Sequence, residues 1–316
     1  MFGSVVKTMD IEDLGELLVE KSKNVSRLVL VMYGTPGSGK TTNAERLVNY
    51  LNNKYNNGAV LDTDKITHFI EEKGLKAKRK YEGRGGPQTR ICEYDSTVID
   101  DSIDMSKVPF AAHLKMDGFH LPLKQLAENL HSRRGCQESF EGELVVQLFK
   151  LLVQWETEEG DGNNQATGVK IEEGKPWNLL CIPDFDHKLK DPNNPGRYIF
   201  SNTKIIVFEG LYLMLNIEPW CQISQIIKAI KDKKPGSHSP IVEVAQVEDN
   251  DVEEMSQRVA ARHLRSGLVD SLNDGLNRYF ANDSINASVV TTLSNHDFDD
   301  YSINTSGKTK VYCRSN

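Results

Sequence analysis

A glycine-rich turn near the N-terminus constrains the fold of this chain more than any other feature of its sequence. Residues 34–41 read G-T-P-G-S-G-K-T and fit the phosphate-binding loop pattern G-x-x-x-x-G-K-[ST]. The apolar residues 28–32 before the turn are typical of a buried strand, and residues 40–51 after it are typical of a helix. The fixed positions of the pattern therefore stand between a predicted strand and a predicted helix, which is the context that such a loop requires.

This loop predicts a binding site for a nucleoside triphosphate. Backbone N–H groups in such a turn point into one concavity, and the start of the following helix adds partial positive charge. Lys40 can reach the β- and γ-phosphates, and the Thr41 hydroxyl can bind Mg²⁺. The sequence has no N-K-x-D-like element that would select guanine, which favours ATP as the nucleotide. The predicted nucleotide-binding residues are Gly34, Thr35, Pro36, Gly37, Ser38, Gly39, Lys40, Thr41 and Thr42.

Strands and helices alternate along the rest of the chain. Further strands are predicted at residues 110–116, 204–208 and 241–247. Helical patterns are predicted at residues 10–22, 144–155 and 253–267. This alternation after a phosphate-binding loop predicts an α/β P-loop NTPase fold, with a parallel β-sheet flanked by helices. We predict a single domain over residues 1–316, with a helical lid at about 252–290 and two insertions at about 59–108 and 157–176.

The overall charge and the cysteines narrow the class of protein. The formal net charge is −7, whereas a general nucleic-acid-binding protein is usually basic, so we predict no nucleic-acid partner. This charge still leaves room for a local basic pocket. The five cysteines are far apart and lack zinc-site spacing, which is typical of reduced thiols in the cytoplasm. No apolar signal region or run of membrane-spanning length is evident, so the expected location is cytoplasmic, without a membrane span.

Asp117 follows the second predicted core strand, in the stretch K-M-D-G-F-H. Ligands gather at the carboxyl ends of the strands in a parallel sheet, so Asp117 is expected close to the phosphate-binding loop. A carboxylate there can accept the proton of a substrate hydroxyl that attacks the γ-phosphate. The alternative is a structural role in which Asp117 caps the start of a helix.

Glu209 follows four apolar residues at 205–208, at the end of the third predicted core strand. This pattern is typical of a metal-site carboxylate that holds Mg²⁺ directly or through water, together with Thr41. The alternative is an acid that faces solvent at the end of a strand. Asp62 and Asp64 are rival candidates for either acidic role, but the apolar run beside them is short.

Three arginines lie on the helix predicted after the last core strand. Arg258, Arg262 and Arg265 are spaced by four and three residues and therefore share one face. A cationic face in this position can close over the phosphates and offset charge in the transition state. We predict catalytic roles for Arg258 and Arg262 beside Lys40 and Asp117. The alternative is an ordinary basic face in contact with solvent.

Seven segments, in order along most of the chain, carry a resemblance to a known family. They are residues 34–42, 116–121, 133–135 with 138–140, 183–192, 208–213, 258–267, and 282–283 with 286. With them the chain resembles the P-loop kinase family of uridine kinase, phosphoribulokinase and bacterial-type pantothenate kinase. Within that family it resembles the fungal ATP-dependent kinases of the altered-inheritance-of-mitochondria type.

The resemblance implies roles for individual residues of this chain. Asp117 corresponds to the catalytic base of the family and Glu209 to its metal-linked acid. Arg258 and Arg262 fall in the lid helix. The residues that fall where relatives line the acceptor pocket are Arg133, Arg134, Asp186 and His187.

The chain also departs from the family pattern at several points. Glu141 stands where relatives often have aspartate. Uridine kinases carry D-S-F-Y where residues 117–120 read D-G-F-H, so the resemblance does not imply uridine as the acceptor. The two predicted insertions are absent from compact bacterial relatives, and the identity of the acceptor therefore does not carry over.

Three functions are compatible with these patterns. The first is an ATP-dependent kinase that transfers the γ-phosphate of ATP to a hydroxyl of a small metabolite with the help of Mg²⁺. The second is a regulatory nucleotide-binding ATPase that acts through protein partners, which two large insertions would suit. The third is a nucleoside kinase, such as a uridine kinase. Asp117 and the predicted acceptor-pocket arginines favour the first, because a pure switch needs no base at an acceptor site.

Overall fold

The computed structural model describes residues 8–58, 60, 62–94, 107–153, 179–233 and 239–314. Its helices are α1 (Ile11–Ser22), α2 (Lys40–Tyr55), α3 (Thr63–Glu72), α4 (Gly142–Leu152), α5 (Cys221–Lys231), α6 (Val252–Arg265), α7 (Leu272–Arg278) and α8 (Ser284–Leu293). Its strands are β1 (Thr8–Met9), β2 (Leu28–Gly34), β3 (Arg79–Tyr81), β4 (Ile91–Tyr94), β5 (Ala111–Lys115), β6 (Leu179–Asp186), β7 (Asp191–Phe200), β8 (Ile205–Gly210), β9 (Ile241–Glu248), β10 (Tyr301–Asn304) and β11 (Lys310–Cys313). Across these ranges, no helix has the length and apolar character needed to cross a membrane.

A seven-stranded sheet in the order β1-β11-β10-β9-β2-β8-β5 forms the centre of the molecule. The five strands from β10 to β5 are parallel to one another. Strand β11 runs antiparallel to β10, and β1 runs antiparallel to β11. The predicted α/β fold with a parallel sheet and flanking helices is therefore confirmed, and the structure adds two antiparallel strands at one edge.

Strand β2 lies in the middle of this sheet, and all of its residues are buried. Burial on both faces explains its continuous apolar sequence, which is typical of parallel sheets. Successive side chains point to opposite faces. Val29 and Val31 pack in the core that contains α4 and α5, whereas Leu28 and Leu30 pack in the core that contains α1 and α2.

Local sequence signals set the starts of the helices around the central sheet. Helix α1 begins with a capping box in which Asp10 and Asp13 bind each other's backbone N–H groups. Helix α2 begins after Gly39, whose φ of +87° lies in the left-handed region that favours glycine. Helix α6 begins after Asp251, whose side chain accepts a hydrogen bond from the backbone of Glu254.

A second sheet, in the order β3-β4-β6-β7, is antiparallel and was not predicted from the sequence. It packs against α3 through a small core that includes Ile66, Ile70 and Phe200. Part of the predicted insertion at 59–108 thus forms α3, β3 and β4, and β4 pairs with β6, which lies far along the chain. The predicted insertion at 157–176 lies outside the described residues, and its place in the domain stays a prediction.

The carboxyl ends of β2, β5 and β8 meet at one edge of the central sheet. Glu209 of β8 is the register partner of both Met32 of β2 and Lys115 of β5. Strand β5 then leads into a 3₁₀ turn over Met116–Phe119. This topology brings Asp117, Glu209 and the glycine-rich turn to the same edge, as a parallel sheet requires.

Candidate active site

The glycines of the phosphate-binding loop are required by the close packing around it. A Cβ on Gly34 would overlap the carbonyl oxygen of Val247 in β9. Gly37 has a φ of +80°, and a Cβ there would lie 2.8 Å from Cγ2 of Val259 in α6. The loop therefore fits between the central sheet and α6 only if these positions lack side chains.

Lys40 lies at the start of α2 and faces the centre of the site. Its Nζ donates a hydrogen bond to the carbonyl oxygen of Thr35 at 2.8 Å. Its pKa is lowered to about 8, chiefly because burial removes the ammonium group from water. The charges of Glu209 and Asp117 raise this pKa, whereas that of Arg262 lowers it. The opposing effects show that the other three groups all lie within electrostatic reach of Lys40.

Thr41 and Glu209 bring two oxygen ligands together beside the loop. The Thr41 hydroxyl donates to Oε2 of Glu209 at 3.1 Å, and Glu209 is buried. The other oxygen, Oε1, lies 3.1 Å from Nε2 of His113. Among the described residues, no cluster of three or more His, Cys, Asp or Glu side chains could hold a metal ion alone. Mg²⁺ usually binds only one or two protein oxygens and fills its other coordination positions with phosphates and water. The Thr41 hydroxyl and the Glu209 carboxylate therefore fit this cation.

Asp117 lies inside the 3₁₀ turn rather than at its N-cap, which is Lys115. Its carboxylate makes no capping hydrogen bond within the described part of the chain, and its backbone oxygen lies 2.8 Å from Nδ1 of His120. The next residue, Gly118, lies so close to β6 that a Cβ would overlap the carbonyl oxygen of Pro183. This close approach fixes the turn and leaves the Asp117 side chain at the edge of a cavity.

That cavity has a volume of about 740 Å³ and is lined by five of the predicted nucleotide-binding residues and by all four predicted catalytic residues. Its lining includes Lys40, Thr41, Asp117, His187, Arg258 and Arg262. Residues from the loop, from the end of β5, from the turn between β6 and β7, and from α6 therefore face one space. A triphosphate on the loop and a second molecule beside Asp117 can share it.

Helix α6 covers the loop and is tied to its surroundings. Arg258 forms ion pairs with Asp249, which follows β9, and with Glu254 one turn earlier. The buried Nε2 of His263 lies 3.0 Å from the Asp283 carboxylate, which joins α6 to the π-helix at Tyr279–Asp283. Within the described ranges, Arg262 has no ion-pair partner, so its guanidinium is available to a ligand in the cavity.

Three of the four predicted acceptor-pocket residues do not line the cavity, and two of them are arginines. Arg133 donates to the backbone oxygen of Asn282 at 3.0 Å and to the side-chain oxygen of Asn286 at 2.9 Å. Arg134 forms an ion pair with Asp191 at 2.6 Å. The structure thus places both arginines in contacts within the protein.

The other two predicted acceptor-pocket residues are neighbours at the turn between β6 and β7. The Asp186 carboxylate accepts hydrogen bonds from the backbone N–H groups of Leu189 and Lys188, which lower its pKa. Asp186 therefore shapes the turn, and only His187 reaches the cavity lining.

Of the rival acids, Asp62 caps α3 through the backbone N–H of Lys65. Neither it nor Asp64 lines the cavity.

Several residues that line the cavity were not predicted as site residues from the sequence. Lys115 lies in the K-M-D-G-F-H stretch, so its proximity to Asp117 was available as a signal. Thr305 follows β10, and its hydroxyl donates to the backbone oxygen of Ser38 at 2.9 Å. Thr309 comes from the same C-terminal region. No local pattern marks these threonines, because β10 reaches the loop only through pairing with β9.

Glu141, where the family often has aspartate, anchors a neighbouring loop. Its side chain accepts a hydrogen bond from the backbone of Gly85, and Arg84 lies 3.7 Å from its second oxygen. A Cβ on Gly83 would lie 2.6 Å from the same carboxylate. The longer side chain thus bridges α4 and the loop between β3 and β4.

The fold is that of P-loop kinase structures, and the chain is similar in sequence to proteins named as ATP-dependent kinases. No family model matches the chain. The protein named ATP-dependent kinase YFH7 from Eremothecium gossypii is 27% identical over 333 residues, which cover 89% of this chain and 95% of the relative. The protein of the same name from Saccharomyces cerevisiae is 28% identical over 336 residues, which cover 87% and 92%.

Solved structures show the same fold. YFH7 from Saccharomyces cerevisiae superimposes with a TM-score of 0.65 at 23% identity, covering 93% of this chain and 98% of that one. A protein from Silicibacter sp. TM1040, named as a putative fructose transport system kinase, has a TM-score of 0.52 at 18% identity, covering 90% and 96%. The resemblance to fungal ATP-dependent kinases is confirmed, and these likenesses support an ATP-dependent P-loop kinase in general terms.

Proposed function

We propose that this protein transfers the γ-phosphate of ATP to a hydroxyl group of a small metabolite, with Mg²⁺ as the assisting cation. The observation that carries the proposal is the position of Asp117. Its side chain lines the same cavity as Lys40 and Thr41 of the phosphate-binding loop. A carboxylate in this position can act as a general base for an acceptor hydroxyl, and a protein that only binds ATP needs no such base.

In this proposal the loop and the lid hold the triphosphate. The backbone N–H groups of residues 37–41 and the start of α2 bind the phosphates, and Lys40 contacts the β- and γ-phosphates. Arg262 lines the same cavity as Lys40 and offsets charge on the γ-phosphate as it is transferred. Arg258 is held by Asp249 and orients this face of α6. The range 252–290, which runs from α6 into α8, acts as the lid over a single kinase domain.

The acceptor lies beside Asp117. Its hydroxyl oxygen forms a new bond to the γ-phosphorus while the bond from that phosphorus to the β–γ bridging oxygen breaks, and ADP leaves. Asp117 accepts the hydroxyl proton, which makes it the general base. His187 faces the same space and is proposed to contact the acceptor.

Thr41 and Glu209 are proposed to hold Mg²⁺. When bound, the cation would offset negative charge on the β- and γ-phosphates. The hydroxyl of Thr41 and the Glu209 carboxylate already lie 3.1 Å apart, so neither side chain needs to move far to share one cation.

A cytoplasmic location belongs to the proposal and is supported by the free state of all five cysteines.

Screening purified protein against a library of hydroxyl metabolites, with ADP release as the readout, tests this function. We expect at least one compound to stimulate ADP release and to appear as a phosphorylated product by mass spectrometry. Lys40→Ala should weaken ATP binding by about 10- to 100-fold, since a charge-assisted contact is lost. Lys40→Ala should also abolish the ADP release that the metabolite stimulates. ADP release that no metabolite stimulates would contradict transfer and favour a regulatory ATPase.

A further inference from the structure

The cavity carries a charge opposite to that of the whole chain. The formal net charge of the protein is −7. Two carboxylates line the cavity, on Asp117 and Glu254. Six cationic side chains also line it: Lys40, Arg46, Lys115, Arg258, Arg262 and Arg265. A concentration of one sign of charge in a cleft attracts ligands of the other sign.

Half of these cations already have a partner in the protein. Arg46, Lys115 and Arg258 each form an ion pair with a nearby carboxylate. The other three form no ion pair within the described parts of the chain. Of these, Lys40 and Arg262 lie within electrostatic reach of each other and are assigned above to the triphosphate. Arg265 remains without an ion-pair partner there and without an assigned ligand.

The three arginines of α6 follow one another from the nucleotide side of the cavity towards the acceptor side. Arg258 binds Asp249, whose carboxylate lies 3.2 Å from the hydroxyl of Thr305 beside the phosphate-binding loop. Arg262 comes one turn later, near Lys40. Arg265 lies about 10 Å along the helix axis from Arg258, given the rise per residue of an α-helix.

The end of α6 that carries Arg265 touches the turn between β6 and β7. The Gly267 carbonyl oxygen accepts a hydrogen bond from Nζ of Lys190 at 2.6 Å. The same turn carries His187, which lines the cavity together with Arg265 and Asp117. Of the three arginines on α6, Arg265 is therefore the one closest to the acceptor side.

The two arginines that the family resemblance assigns to the acceptor pocket are not available to bind an acceptor in this cavity. The guanidinium group of Arg133 is bound by Asn282 and Asn286, and that of Arg134 by Asp191 and two backbone oxygens. Moving either group into the cavity would leave several part-buried hydrogen-bonding groups without partners. A cation for the acceptor has to come from another element.

We propose that the acceptor is an anionic metabolite, which carries a phosphate monoester or a carboxylate besides the reacting hydroxyl, and that Arg265 binds this anionic group. The proposal rests on the proposed kinase function. The hydroxyl faces Asp117, and the anionic group of the same molecule reaches Arg265 beneath the lid. Phosphate and carboxylate both match the planar donor pattern of a guanidinium group.

The test uses acceptors in matched pairs. Neutral sugars and polyols are each paired with their phosphate monoester or with the hydroxy acid of the same skeleton, for example ribose with ribose 5-phosphate and glucose with gluconate. Acceptor-dependent ADP release is measured for the wild type, for Arg265→Gln and for Lys228→Gln. The last variant is the control, because it removes one positive charge from the exposed face of α5, away from the cavity.

We expect the wild type to prefer the anionic member of its best pair, and the type of that pair identifies phosphate or carboxylate as the group bound. Arg265→Gln should raise the KM for this acceptor by about 10-fold or more, since one charge-assisted contact is lost. The KM for ATP should change by no more than about 2-fold, and Lys228→Gln should behave as wild type.

Two results would overturn the inference while the kinase function stands. One is equal or better transfer to the neutral members of the pairs. The other is an unchanged acceptor KM in Arg265→Gln. A different result, in which no compound of either charge stimulates ADP release, would contradict the proposed kinase function itself.

Discussion

The proposed nucleotide side and the proposed acceptor side of this molecule are assembled in different ways. On the nucleotide side, one continuous segment from β2 through the loop to α2 supplies the buried strand, the glycines, Lys40 and Thr41. On the acceptor side, the second sheet, the turn after β6 and the end of α6 bring together residues that are far apart in the chain. A short motif can therefore indicate the nucleotide, whereas the acceptor has to be inferred from the assembled cavity.

The cationic side chains show the same contrast. Lys40 and Arg262 line the cavity. Arg133 and Arg134 have a context that resembles an acceptor pocket, yet their guanidinium groups bind Asn282 and Asp191 within the fold. A residue type at the expected position thus does not by itself indicate that the side chain faces a ligand.

The largest expected effect on stability lies on the nucleotide side. Gly34→Ala places a methyl group against the Val247 carbonyl, where the end of β2 pairs with β9, and should lower the free energy of unfolding by about 3 kcal/mol. Gly74→Ala is the matched control. Gly74 has a φ of +60°, but an added Cβ would meet no heavy atom within 4 Å, so only backbone strain of about 1 kcal/mol is expected. Urea denaturation of both variants measures the difference, and equal losses would contradict the packing argument.

The next largest expected effect is that of Glu209→Gln on turnover. This substitution keeps the side-chain volume but removes the charge beside Thr41, so we expect turnover to fall by about 100-fold and the Mg²⁺ requirement to rise. Nucleotide binding without metal should change less. The measurement is the Mg²⁺ dependence of ATP binding and of turnover. Superimposable Mg²⁺ titrations for variant and wild type would show that Glu209 is only a buried acid at the end of a strand.

The smallest expected effect tests the acceptor side. Arg133→Ala should lower the free energy of unfolding by about 1–2 kcal/mol, because Asn282 and Asn286 lose a partner, with little change in the acceptor KM. A double-mutant cycle with Asn286→Ala should show that the two side chains stabilise each other. An increase in acceptor KM with unchanged stability would instead support the pocket role that the family resemblance implies.

The parts of the fold that could be predicted are those with local signals. The strand at 28–32, the loop and the start of α2 follow from hydrophobic runs and glycines, and they lie where predicted. The second sheet could not be predicted, because β7 reads D-P-N-N-P-G-R-Y-I-F and has two prolines, which normally argue against a strand. Hydrogen bonds between distant strands leave little trace in a local pattern.

The candidate site divides in the same way. Lys40, Thr41 and Asp117 follow directly from a motif or a strand end. His113 and Thr305 reach the site from β5 and from the loop after β10, and only the register of the sheet brings them there. Their contribution could not be recognised before the strand order was known.

In the proposed mechanism, Asp117 acts as the base for transfer to an acceptor that shares the cavity with ATP. Asp117→Asn probes this role when acceptor-dependent transfer is measured beside acceptor-independent ATP hydrolysis and ATP affinity. We expect transfer to fall by about 10²- to 10⁴-fold, because asparagine cannot accept the hydroxyl proton. Hydrolysis and ATP affinity should stay within about 3-fold, since the phosphate-binding loop holds the nucleotide. Full transfer activity in Asp117→Asn would show that this carboxylate is not the base.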